Sequence, residues 1–255
     1  MIAISPRAPL PSQPDRVRRP GRPHAAYAMA DRMSPEPMAG DAAVQFLRRH
    51  SLADDRPAGA EAVCTRHAAR QPPLAGLIQA FLHHGGAGPR EVLSVALAEE
   101  ITRSDRLLGL VGAALAATGL PGDRLELLLG EAMLVEIDAD GLLVLSALRD
   151  LGVGLCIDGF GVGVSSLTLL RRLPLTAVKL ARTLVRGLPG DREDAAIARA
   201  AIATAHTMDL AVIGDGVESE HQRAFLAHCG CNLGQGPLFG PPLRAALLPR
   251  QGVLV

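Results

Sequence analysis

Six short apolar runs, at residues 92–97, 125–129, 153–157, 176–180, 210–214 and 237–239, are each followed by a stretch with helical spacing. Crossover helices between successive strands make those strands parallel and cover the faces of their sheet. The spacing predicts helices over 104–118, where Leu107, Leu108, Leu110, Val111 and Leu115 share a face, over 140–151, ending before Gly152, and over the alanine-rich 192–208. A chain of 255 residues with 48% hydrophobic content can bury one sizeable core. At this length, strand-then-helix repetition predicts an α/β fold closed into a TIM-like (β/α)8 barrel.

One globular domain is expected over residues 27–255. Residues 1–26 form a Pro/Arg-rich segment, a composition that resists regular structure and reads as a tail or an irregular first strand. Lys plus Arg and Asp plus Glu number 26 each, so the formal charge is zero and nothing overall steers the chain to a nucleic-acid polymer or to acidic lipid. No apolar run approaches the roughly 18 residues that span a bilayer, and no apolar segment follows the N-terminal basic residues. The expectation is a cytoplasmic protein with no membrane span. Cys64, Cys156, Cys229 and Cys231 lack a metal-ligand spacing. Cys156 alternates with apolar neighbours and reads as a small core residue.

Polar residues recur where strands end. Asp158 follows VGLCI, Lys179 follows TAV, Asp215 follows LAVIG, and Ser94 interrupts VLSVAL. In a barrel the C-terminal strand ends share one face, and that face holds the site. Gly159, Gly161 and Gly163 permit tight turns and close backbone approach after Asp158, although the triplet does not match a dinucleotide fingerprint. Lys179 is expected to pair with Asp158, Asp215 or Glu218, either as a buried ion pair holding strand ends together or as part of a ligand site.

Residues 154–182, GLCIDGFGVGVSSLTLLRRLPLTAVKLAR, resemble the DDFGTGYSSL…KID segment of EAL-domain phosphodiesterases, bacterial enzymes that linearise the second messenger cyclic di-GMP. Gly159 stands at the second Asp and Ala181 at the last. Ser94-Val95-Ala96 resembles SVN without its Asn. Leu127 to Glu131 resembles LEITE, with Leu128 at the first Glu and Glu131 at the second. Ile213 to Glu218 is similar to AEGVE, with Asp215 at the first Glu. Gly230-Cys231-Asn232 and Gln235 to Phe239 resemble GCD and QGYLF. Before residue 90 the match is looser: Gln13-Pro14 resembles QPI, and Tyr27 to Arg32 resembles YEALLR, with Ala28 at the naming glutamate.

The resemblance implies a barrel whose first strand runs antiparallel to the rest, and two divalent ions held by carboxylates, which activate water and clamp a phosphate. The implied ligand positions are Ala28, Ala96, Leu128, Asp158, Gly159 and Asp215, of which Asp158 and Asp215 keep an oxygen. The expectation is therefore a catalytically silent chain with no metal or cofactor, in which Asp158, Lys179, Asp215 and Glu218 are vestigial and Mg or Mn matters only if phosphodiesterase activity survives. Gln13, Arg32 and Gln235 are candidate nucleotide contacts. With no Trp and one Tyr, stacking surface for guanine is scarce. A regulator acting on another protein is the leading reading, with a homodimer as a further partner. The alternatives are a non-catalytic cyclic di-GMP receptor and a weak phosphodiesterase. Glu131, Gly161, Val162 and Val164 mark the loop region expected to make the contact, since its sequence has turned apolar.

Overall fold

A computed structural model describes residues 44–244 except 65–72, 84–87, 89, 98–105, 132–133, 135–136 and 163–166. The described elements all belong to the compact unit Pro37–Val255. Gln13, Ala28, Arg32, Val164 and the expected boundary after residue 26 lie outside the described residues.

The described strands are β1 (Val44–Ser51), β2 (Pro57–Cys64), β3 (Val92–Ala96), β4 (Leu125–Gly130), β5 (Gly154–Phe160), β6 (Ala177–Leu180), β7 (Ala211–Asp215), β8 (Leu233–Gln235) and β9 (Leu243–Arg244). The described helices are α1 (Leu74–His83), α2 (Leu107–Thr118), α3 (Ala139–Asp150), α4 (Leu167–Arg172), α5 (Arg182–Arg186), α6 (Arg192–Thr207) and α7 (Glu220–His228). The sheet runs β2-β3-β4-β5-β6-β7-β8-β1-β9, and a further pairing of β1 with β2 closes it. Strands β2 to β8 pair in parallel. β1 is antiparallel to both β2 and β8. The molecule is thus the expected TIM-like barrel with a reversed first strand, and β9 extends the sheet beyond β1.

Five of the six apolar runs form strands β3 to β7. The sixth does not: Pro237–Phe239 is a short 3-10 turn, and the strand is Leu233–Gln235 just before it. Proline at the first turn position fixes φ and removes a backbone donor, so it suits the turn and not the ladder. The turn also depends on Gly236, whose φ is 150° and where a Cβ would lie 2.4 Å from the backbone N and O of Val217. The three helices expected from spacing are α2, α3 and α6. Among the described residues no helix is long and apolar enough to cross a membrane.

Burial divides between two layers. The larger core lies between sheet and helices and includes Leu93, Leu127, Leu155, Val178 and Val212 from alternate strand positions, as a pleated strand requires. A smaller cluster of Leu128, Cys156, Ala177 and Ile213 uses the opposite faces of β4 to β7 and fills the lumen. Helix starts are set by local chemistry. Asp138 accepts from Gly141 N ahead of α3, and Asp191 accepts from the backbone N of Glu193 and Asp194 ahead of α6. Ser219 and Gln222 form a reciprocal capping box on α7. Replacing Asp191 by Ala should cost about 1 kcal/mol, read as a fall in Tm of about 2–4 °C in a thermal melt followed by circular dichroism.

Candidate functional site at the barrel mouth

Lys179 lies near the end of β6 and is almost fully buried. Its Nζ donates to Glu61 Oε2 at 2.8 Å and lies 3.2 Å from Asp158 Oδ1. β6 and β2 are not neighbours in the sheet, so this bond crosses the lumen. Gln235 Nε2, at the end of β8, donates to the same Glu61 oxygen at 2.7 Å and to Asp215 Oδ1 at 3.4 Å. Four strand ends and β2 therefore converge on one network: Glu61, Asp158, Lys179, Asp215 and Gln235.

The electrostatics follow from this geometry. Burial alone would lower the Lys179 pKa, but the carboxylates of Glu61, Asp158 and Asp215 outweigh it and raise it. Asp215 is pushed up, first by burial and then by Glu61 and Asp158, against the opposing pull of Lys179. Beneath the mouth, Arg49 Nη1 donates to Glu126 Oε1 at 2.8 Å, and Ser94 Oγ donates to the same oxygen at 2.8 Å. The Cys156 thiol is held well above its ordinary range by burial and by Glu126. Cys156, Cys229 and Cys231 are free thiols.

The expected site residues are only partly brought together. Lys179 does pair with Asp158, yet its shortest contact is Glu61, which the sequence reading did not single out. Glu218 is not a partner of Lys179; its carboxylate is half-exposed and lies 4.0 Å from Arg182 Nη2. Ser94 belongs to the deeper Arg49 and Glu126 group. Glu131 follows β4 with a buried Oε1 that accepts no hydrogen bond. Ala181 is buried at the start of α5. The overlooked signal was present in β2: Glu61-Ala62-Val63 differs from Glu-Ala-Leu only at its third residue.

A hard divalent ion needs several oxygen ligands. Ala96 and Leu128 offer none, and Leu128 packs among Cys156, Ala177 and Ile213. Gly159 also offers none; it sits at a bulge in β5 with φ of 85° and no atom within 4 Å of where its Cβ would be. Among the described residues no group of three or more His, Cys, Asp or Glu is arranged to hold a metal ion. The residues do not fit the two-metal centre that the resemblance implies.

Because the folded-state pKa of Asp215 is raised, its contribution to stability is fully present below its unfolded value of about 3.9. It is lost as pH rises through the folded value. Asp215→Asn should therefore flatten the fall in stability as pH is raised from about 4 toward neutrality, measured by urea unfolding across that range. An unchanged slope would contradict the assignment.

Comparison with known proteins adds a second line of observation. Residues 74–242 match the EAL domain model. The chain is 46% identical over 136 residues to the cyclic di-GMP phosphodiesterase NbdA of Pseudomonas aeruginosa, which covers 53% of this chain and 17% of that protein. It is 34% identical over 157 residues to the oxygen sensor protein DosP of Escherichia coli, covering 62% of this chain and 20% of that one. The chain thus spans only about a fifth of the length of these relatives. Among solved structures, the EAL domain of Mycobacterium smegmatis DcpA superposes with a TM-score of 0.71 at 27% identity, covering 81% of this chain and 93% of that one. The PaMucR phosphodiesterase in complex with c-di-GMP gives 0.70 at 28% identity, covering 78% and 91%. With the barrel, the reversed strand and a match over more than half its length, this chain belongs to the EAL domain family.

Proposed function

We propose that this chain is a catalytically inactive EAL-domain regulator that works through protein contact in cyclic di-GMP signalling. One observation carries the reading: Ala96, Leu128 and Gly159 stand where the family's metal ligands are implied, and Leu128 turns part of the metal shell into apolar lumen. With Glu61 taken as the naming glutamate in place of Ala28, three of six implied ligands keep an oxygen: Glu61, Asp158 and Asp215. Hydrolysis of a phosphodiester at neutral pH needs metal-activated water and a clamp on the phosphate, and three acids already sharing an ammonium supply neither. Lys179 is spent on Glu61 and Asp158, so it is not free for an anionic ligand.

The surface supports a contact role. Val162, in the loop after Asp158, is 46% exposed, and Ile197 on α6 is 44% exposed. A side chain at Gly161 would touch Leu184 and come within 3.9 Å of Ile197, so Ile197 borders this loop. Elsewhere α2 carries no charged residue, and Leu110 on α2 and Leu143 on α3 are 51% and 68% exposed. Exposed apolar side chains in such groups suit a protein interface. A cytoplasmic protein, and a homodimer through the same loop, are part of this proposal.

Purified protein should show no turnover of cyclic di-GMP with magnesium or manganese by nucleotide chromatography. Calorimetric titration with cyclic di-GMP should give no heat of binding, whereas saturable heat without cleavage would favour the receptor reading. Val162→Asp with Val164→Asp should abolish self-association or partner capture while leaving the circular dichroism spectrum unchanged. A folded double variant with unaltered sedimentation and unaltered pull-down partners would defeat the proposed interface.

A further inference from the structure

The disagreement between a metal-dependent family and this mouth continues into the lumen. Arg49 on β1 is only 1% exposed, and its guanidinium meets Glu126 on β4 at 2.8 Å. β2 and β3 stand between these strands in the sheet, so this contact crosses the lumen too. Lys179 makes the second crossing, from β6 to Glu61 on β2, also at 2.8 Å. Neither buried carboxylate could remain ionised there alone, because removing a charge from water costs several kcal/mol unless an opposite charge compensates it. Where divalent ions are bound, those ions provide the compensation. Here two side chains provide it.

We propose that Arg49 and Lys179 are resident counter-ions standing in for divalent metal, Lys179 at the mouth and Arg49 beneath it, so that the buried carboxylates Glu61 and Glu126 are compensated from within and the barrel is closed to divalent cations. The inference rests on the reading of the mouth as catalytically silent. Lys179 is suited to the upper position because a compact ammonium can meet two acids at once, with Asp158 Oδ1 at 3.2 Å as the second. Arg49 is suited to the lower one because a guanidinium keeps its charge at every accessible pH. Ser94 and Gln235 complete the arrangement, each donating to the carboxylate oxygen that the cation also meets. A divalent ion entering between Glu61 and Asp158 would meet the positive charge already placed there.

Thermal melts of the full chain with millimolar MnCl2 or with EDTA should coincide with the untreated melt. Lys179→Met leaves Glu61, Asp158 and Asp215 without their ammonium, and should gain Mn2+ binding at least about tenfold tighter than wild type, a difference of about 1.4 kcal/mol, by electron paramagnetic titration. If Lys179→Met does not fold, the pair Lys179→Met and Glu61→Gln removes both charges and should fold with melting indifferent to Mn2+. Arg49→Met should lower Tm by about 6–12 °C, and adding Glu126→Gln should recover at least half of that loss. A wild type stabilised by Mn2+, a folded Lys179→Met as indifferent to Mn2+ as wild type, or double variants that recover nothing would overturn the inference. Melts indifferent to metal in a protein that captures no partner would sustain the counter-ions and defeat the proposed function alone.

Discussion

The buried ammonium of Lys179 is the interaction on which the arrangement of the mouth depends. It joins β6 to β2 across the lumen at 2.8 Å and holds Asp158 at 3.2 Å. Coulomb attraction in a partly dry interior is large, but so is the cost of drying each charge. The pair persists because both ends are further satisfied: Glu61 also accepts from Gln235, which reaches Asp215 as well. The network lies one layer beyond the apolar lumen cluster of Leu128, Cys156, Ala177 and Ile213, with Asp158, Lys179 and Asp215 two residues further along their strands.

A barrel draws its stability from the layer between sheet and helices, here built from residues between Val44 and Phe239, whereas Leu128 and Ala96 belong to the separate lumen cluster. Function lives in a site grafted on a fold, so residues at positions such as Leu128 and Gly159 can change while the periodic core remains. Buried carboxylates still require an opposite charge, and the two lumen-crossing ion pairs give one to Glu61 and to Glu126 without any exogenous ion.

Much of this was legible in the residues. The βα order of β3 to β7 followed from apolar runs whose alternating positions face the larger core, a local property that each run carries by itself. Asp158 and Lys179 could be placed at strand ends, and their pairing anticipated, because a barrel sends those ends to one face. β1 and β2 were not legible. Val44–Ser51 carries Arg48, Arg49 and His50, and Pro57–Cys64 is built from small residues around one acid, so neither has the apolar signature of a strand. That same disguise hid Glu61.

What the amino-acid order determined by itself was the fold class and the absence of ligand oxygens at Ala96, Leu128 and Gly159, because hydrophobic period and side-chain chemistry are properties of single residues and their near neighbours. What only the tertiary structure decided was which charges meet. Lys179 and Glu61 are 118 positions apart, and Arg49 and Glu126 are 77 apart. Closing the sheet brings β6 to face β2 and β1 to face β4 across the lumen, and there a charge must take whichever opposite charge the closure presents.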